Sequence, residues 1–263
     1  MKLLMEIDKI AGMMERGRMT VIAGRPSEDK TSFALSLLAE VALKKEHPLS
    51  VAMFSMEMTG EQLTKRLLCS EAQVSERELT GGSIANTDWN KITSAAALIK
   101  NAKIFIDPSP YFKILELRVK ARSLRRREPI GLIIMDYLQP RCGETLSKSK
   151  TMQIEVTLIS LEIKSLAVEL DVPILVLAQM GRDTELRRDP RPGLSELRRT
   201  GTIGEDADMV AFLHRDIREN DNASEEEKRK GLYAELIIGK NRYGETGTVP
   251  LLYFPDTMTF IPD

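Results

Sequence analysis

Short β-branched apolar runs alternate along this chain with longer segments of helical spacing. The runs Met19–Gly24, Val51–Ser55, Lys103–Asp107, Gly131–Asp136, Pro173–Ala178, Met209–His214 and Ala234–Lys240 predict strands. Thr248–Phe254 and Thr257–Ile261 predict a final antiparallel pair. Apolar residues at helical spacing predict helices over Lys30–Lys45, Gly60–Glu71, Asp88–Lys100, Lys113–Arg127 and Met152–Leu170. Strands that are apolar at nearly every position have no solvent face. The pattern therefore predicts an α/β fold: a mainly parallel twisted sheet, helices on both faces and an antiparallel extension at the C-terminus. Ligands of such sheets bind outside the strand carboxyl ends, which places Gly24, Ser55, Asp136 and Ala178 on one rim.

Two irregular, charged segments interrupt the alternation. One is Arg141–Lys150; the other, Gly181–Asp206, carries six arginines. A loop of that length inside a compact domain is usually functional or disordered. Asp216–Lys230 is a polar run that reads as a surface loop. No stretch has the composition of a linker, so residues 1–263 are expected to form one domain, with 1–18 as a lead-in.

Composition removes several classes. With 38 basic and 39 acidic residues the formal net charge is -1, so nucleic-acid binding would need a local patch. Cys69 and Cys142 are far apart and lack metal-ligand spacing, as expected of free thiols in a reducing compartment. Lys2, Glu6, Asp8 and Lys9 interrupt any secretory apolar core. No apolar run approaches the ~18–20 residues that span a bilayer. A cytoplasmic protein without membrane association is the expectation.

The chemistry concentrates after the first strand. Gly24, Arg25, Pro26, Ser27, Glu28, Asp29, Lys30 and Thr31 follow the phosphate-loop pattern G-x-x-x-x-G-K-[ST], except that Asp29 replaces the second glycine. In such loops backbone amides curl around phosphates, the lysine neutralises them and the hydroxyl binds Mg²⁺. Those last two roles fall to Lys30 and Thr31. Aspartate tolerates positive φ better than most residues but adds bulk and charge. A carboxylate ~5 Å from a phosphate, at an effective dielectric near 20, repels it by roughly 3 kcal/mol, unless the side chain turns outward. Glu28 adds negative charge, and Lys30 pairing with either acid would leave the loop self-neutralised.

Three strand ends add to this. The run Ile130–Asp136 ends in an acid suited to holding Mg²⁺. Glu57, after Phe54, Ser55 and Met56, fits a general base for water or, equally, an acid at the start of the next helix. Gln179 fits a hydrogen-bonding sensor of the terminal phosphate or a polar residue closing a strand. Asp206 and Asp208 are paired carboxylates that could bind a metal but read better as a helix cap and a solvated acid. The run Arg118, Lys120, Arg122, Arg125, Arg126 and Arg127 reads as a solvated helix face, and Trp89 as core or interface filler.

Taken together, these blocks resemble the motor domain of the DnaB-type replicative DNA helicases, which are RecA-like P-loop NTPases. The resemblance runs from about Asp8 to the C-terminus. It rests on Ala23–Ser27 leading into Lys30 and Thr31, on Phe54–Met58, Ile106–Pro108, Ile134–Gln139 and Leu177–Arg182, and on Arg191–Arg198, Gly204–Asp208 and Lys240–Gly244. It implies an ATP-dependent helicase that hydrolyses Mg-ATP at subunit interfaces and moves on single-stranded DNA during replication. Glu57 would be the catalytic base, Asp136 the Mg²⁺-holding acid, and Gln179 the link between nucleotide state and DNA. Lys240 and Arg242 would reach into a neighbour's nucleotide. Arg198, Arg199 and Gly201 would form a DNA loop in the channel of a hexameric ring. A helicase loader and a primase are the implied partners.

This chain departs from the family pattern in several places. Glu28 and Asp29 stand where the family has methionine and glycine, and Arg199 where an acid is common. Pro140, Arg141 and Cys142 replace apolar residues. The family's collar domain and linker helix have no counterpart, which predicts a weakened ring. Asp29 keeps a second reading open, a nucleotide-dead homologue that binds DNA or a replication partner. A recombinase-type filament protein is a third, against which the Arg191–Arg198 and Lys240–Gly244 blocks count.

Overall fold

The computed structural model describes residues 15–44, 48–81, 84–109, 114–136, 150–180, 191–197, 202–215 and 223–263. Their strands are β1 (Met19–Gly24), β2 (Ser50–Ser55), β3 (Ile104–Asp107), β4 (Ile130–Asp136), β5 (Ile174–Gln179), β6 (Met209–His214), β7 (Leu232–Asn241), β8 (Gly247–Phe254) and β9 (Thr259–Pro262). The long helices are α1 (Lys30–Ala39), α2 (Gly60–Ala72), α4 (Asn86–Asn101), α5 (Ile114–Arg127) and α6 (Lys150–Leu170). Shorter ones are α3 (Glu76–Gly81), α7 (Leu194–Leu197), α8 (Ile203–Asp206) and α9 (Glu225–Lys230).

All nine strands join one sheet in the order β3-β2-β4-β5-β1-β6-β7-β8-β9. The pairs from β3 through β6 are parallel. From β6 onward they are antiparallel. The central strands are buried on both faces, which is why they read as continuous apolar runs. Ile22, Met53, Ile134 and Leu177 join Phe33, Leu37 and Leu63 in one core. Val21, Phe54, Ile133 and Val176 join Leu117, Ile163 and Leu166 in the other.

α1 is buried along most of its length because the last strands close over it. Phe260 on β9 meets Phe33 edge-on, with ring centroids 5.6 Å apart, and its N–H donates to the Ser36 hydroxyl at 3.1 Å. The helix that carries the phosphate-loop lysine is thus clamped between the sheet and its own C-terminal extension. α2 begins with a reciprocal cap: the Gln62 N–H donates to the Thr59 hydroxyl at 3.2 Å, and the Thr59 N–H donates to the Gln62 side chain at 2.9 Å. Thr59→Ala should cost about 1 kcal/mol in urea denaturation with an unchanged m-value. A loss under about 0.3 kcal/mol would show that tertiary packing alone fixes this helix start.

Several expectations are corrected. The first helix stays α-helical only to Ala39 and then widens into a π-helical turn over Glu40–Lys44. Part of the expected loop Asp216–Lys230 is helix α9, while residues 216–222 lie outside the described residues. Its signal was present: Ser224 and Glu227 form a capping box, followed by Glu225–Lys228 and Glu226–Lys230 ion pairs. Two turns of helix, α7 and α8, lie within the arginine-rich segment. The last strand starts at Thr259, after a turn. Trp89 is 51% exposed and fills no core. The basic run on α5 carries ion pairs at three positions, while Arg126 and Arg127 are exposed. Arg118 bridges Glu162 and Glu169, Arg122 grips Glu169, and Lys120 bonds Asp107 at 2.6 Å. Among the described residues no helix is long and apolar enough to cross a membrane. Cys69 is a buried free thiol, and Cys142 lies outside the described residues.

Candidate nucleotide site at the strand carboxyl ends

Because β2, β4, β5, β1 and β6 are parallel neighbours, their carboxyl ends line one rim in that order. Ser55 lies beside Asp136, and Gly24 beside Gln179. The phosphate loop leaves β1 in the middle of this row. Gly24 must lack a side chain. A Cβ there would lie 2.9 Å from a Glu28 carboxylate oxygen and 3.1 Å from the Leu213 carbonyl.

Downstream, Ser27 (φ 68°) and Asp29 (φ 55°) both adopt left-handed backbone. Asp29 therefore takes the conformation that glycine would supply, at a cost aspartate bears better than most residues. It also stands at the N-cap of α1 yet makes no side-chain bond to the helix amides. Capping side chains reach those amides from an extended backbone, which Asp29 lacks. Here its carboxylate turns outward to Arg215, 2.7 Å away, so the start of α1 has no side-chain cap. Glu28 is fully buried, accepts the Arg25 N–H and lies 3.3 Å from His214 Nδ1.

Lys30 forms no ion pair with Glu28 or Asp29, so the self-neutralised alternative is not the arrangement found. Lys30 Nζ donates to the Arg25 carbonyl at 2.8 Å. Burial pushes its pKa down, opposed by the charges of Glu28, Asp136, Glu57 and Asp29. Thr31 Oγ1 donates to Asp136 at 3.0 Å, which brings together the two residues expected to hold a cation. Burial, and then the charge of Glu57, pushes Asp136 up to about 6, against the Thr31 hydrogen bond and the charges of Lys30 and Arg66. Pro26 is half-buried within the loop.

Glu57 is exposed in the turn between β2 and α2. It does not cap α2, because Thr59 does, and Glu61 is that helix's first-turn acid. That removes the helix-start alternative for Glu57. Gln179 is half-buried at the end of β5.

Lys240 and Arg242 are not part of this cluster. β7 runs antiparallel to β6, with Asn241 paired to Met209 at the amino end of β6. The six residues of β6 at ~3.3 Å each put them about 17 Å from the rim. There Lys240 Nζ donates to the carbonyls of Gly204 (2.9 Å) and Glu205 (2.7 Å), and Arg242 donates to Glu205 at 2.9 Å. Asp208 is corrected as well. It is 1% exposed, accepts the Met19 N–H at 2.8 Å and pairs with Lys164 at 2.5 Å. It is a buried brace between β1 and α6, not a solvated acid. Arg198, Arg199 and Gly201 lie outside the described residues.

Sequence reasoning missed His214 and Arg215. His214 ends β6 and Arg215 follows it; the fold places β6 beside β1, 186 residues from the loop acids they contact. The only available signal was a pair of potential cations near the end of a predicted strand.

The family described as the DnaB-like helicase C terminal domain matches residues 2–262. The replicative DNA helicase DnaC of Bacillus subtilis (strain 168) is 40% identical over 256 residues, covering 97% of this chain and 55% of that protein. The replicative DNA helicase DnaB of Geobacillus stearothermophilus is 39% identical over the same shares. The chain thus spans about half the length of the curated relatives it matches. Among solved structures, one described as an ATPase domain superposes with a TM-score of 0.86 at 29% identity, covering 100% of this chain and 90% of that one. A DnaB-like replicative helicase, whose structure is described with its interactions with primase, gives 0.85 at 31%, covering 98% and 60%. With its mostly parallel sheet and antiparallel C-terminal strands, the chain belongs to the RecA-like DnaB-type helicase C-terminal domain family.

Proposed function

We propose that this chain is one RecA-like motor unit of a replicative DNA helicase, hydrolysing ATP between protomers to move along single-stranded DNA. The observation that carries this is the division of the site between opposite ends of one sheet. Lys30, Thr31, Asp136 and Glu57 gather at the uncapped start of α1, while Lys240 and Arg242 sit about 17 Å away on the far rim. A protomer cannot complete its own site with those two residues, but a neighbour in a closed ring can.

The donor set suits ATP with Mg²⁺. The open amides at the start of α1 and the loop backbone from Gly24 through Ser27 would cradle phosphates. Lys30 would exchange the Arg25 carbonyl for phosphate oxygens. Thr31 and Asp136 already share a hydrogen bond and would hold Mg²⁺, which when bound neutralises charge on the outer phosphates. Glu57, exposed beside them, would take a proton from the attacking water. Gln179 would report the terminal phosphate to the sheet. Arg242 of the next protomer would stabilise charge developing on the transferred group, with Lys240 assisting. Arg198, Arg199 and Gly201 would contact DNA phosphates, giving sequence-independent, salt-sensitive binding. A hexameric ring, a loader, a primase and a cytoplasmic location belong to the same proposal; the primase is supported by the relative described with one.

The test is ATP turnover by the purified chain with and without single-stranded DNA, beside Lys30→Ala. DNA-stimulated turnover in the native chain, absent from Lys30→Ala, is expected. A native chain that binds no Mg-ATP would defeat the motor reading and favour the nucleotide-dead one.

A further inference from the structure

We infer that Arg215 is a positioning residue that makes this acidic phosphate loop compatible with a bound polyphosphate, by holding the Asp29 carboxylate away from the helix amides that the phosphates need. The inference rests on the nucleotide-binding reading above and assigns a role that reading does not contain.

The argument begins with what Asp29 would do alone. It stands immediately before α1 on a left-handed backbone, so a carboxylate turned inward would sit beside the first helix amides. Those amides are the ones a phosphate would use. An unrestrained Asp29 would therefore act as a built-in competitor, filling the anion site or repelling the anion that enters it. In the structure it does neither. Arg215 Nη2 donates to Asp29 Oδ2 and to the Ser27 carbonyl, each at 2.7 Å, so one guanidinium nitrogen ties down both ends of the left-handed stretch.

The arginine is itself fixed in place. Its side chain is only 8% exposed, and its guanidinium lies over the Tyr253 ring, 4.2 Å from the centroid. The Tyr253 hydroxyl lies close enough to sense the same carboxylate: its pKa is pushed up by burial first and then by the charge on Asp29. Asp29 is thus held from outside the loop by an arginine following β6, which itself rests on a tyrosine of β8. A buried arginine paired on its own side with this acid neutralises locally the charge that would otherwise face the phosphates.

A double-mutant cycle tests this on the purified chain, with Mg-ADP binding measured by calorimetry. The native chain and Asp29→Gly should bind within about threefold of each other, because the carboxylate is already out of the way. Arg215→Ala should weaken binding about 100-fold, the scale of one unshielded charge beside the phosphates. Arg215→Lys should recover most of that loss, since an ammonium can still reach Asp29. Asp29→Gly combined with Arg215→Ala should return to within about threefold of Asp29→Gly alone, because no acid is left to restrain. That rescue separates positioning from a general loss of structure. Arg215→Gln, measured alongside by thermal melting, substitutes for the alanine variant if the latter does not fold.

If Asp29→Gly binds 100-fold more tightly than the native chain, Arg215 does not shield the acid and the inference falls while nucleotide binding stands. An arginine loss that persists undiminished in the Asp29→Gly background would mean direct contact with the nucleotide, which also overturns it. Failure of both the native chain and Asp29→Gly to bind would overturn the motor reading and this inference together.

Discussion

Arg242→Ala should leave Mg-nucleotide binding within about threefold of native and cut DNA-stimulated turnover by about 10³-fold or more, the usual scale for removing an arginine finger. The separation of the two effects follows from the sheet. Arg242 is roughly half-exposed, and its guanidinium meets the Glu205 carbonyl and, at 3.9 Å, Asp208. Neither touches the phosphate loop, which lies at the other end of β6. Removing the guanidinium therefore leaves the same protomer's cradle intact while stripping the neighbour's transition state of a positive charge. A mixing experiment sharpens the point. Glu57→Gln and Arg242→Ala should each be inactive alone, yet turnover should return when they are combined. In a randomly mixed ring about a quarter of the interfaces join a native Glu57 to a native Arg242. Native turnover by Arg242→Ala would remove the residue from the chemistry.

Legibility from sequence followed how local each determinant was. β1 and β6 end where the apolar runs end, because both strands are buried on both faces and no polar position blurs their limits. Lys30, Thr31 and Asp136 could be grouped because a spaced motif and a strand-terminal acid are patterns within short windows. The partners of the loop acids could not be grouped that way. Glu28 and Asp29 read as two negative charges facing phosphate because His214 and Arg215 become neighbours only through strand order. Asp208 misled for the same reason: its burial depends on Lys164 and the Met19 amide, both remote in sequence. The end of α1 was missed differently. Helical spacing continues past Ala39, and nothing in the residues marks where the hydrogen bonding widens. The capping box that starts α9 was local and legible, but the surrounding polarity concealed it.

Asp136→Asn should stabilise the free protein while abolishing Mg²⁺-dependent turnover. Asp136 is 2% exposed, and its pKa is raised to about 6 because burial disfavours the charged form. The sign is fixed by linkage. An acid whose pKa is higher folded than unfolded holds its proton more tightly in the folded state, so stability falls as pH rises from about 4 to about 6 and then levels off. A shift of roughly two units corresponds to at most about 3 kcal/mol at neutral pH. Asparagine cannot ionise and can still accept the Thr31 hydroxyl, so Asp136→Asn should gain about 1–3 kcal/mol at pH 7.5, or several degrees in melting temperature. The gain should shrink to under about 1 kcal/mol near pH 4, where the carboxyl is protonated in the folded state and only about half ionised in the unfolded one. Function should move oppositely. Only the carboxylate can hold the cation, so Mg²⁺-dependent nucleotide binding by the native chain should weaken as pH falls below about 6. Melting curves of both variants between pH 4 and 8 decide the matter: a stability difference that does not change with pH would show that the Asp136 charge costs the folded protein nothing.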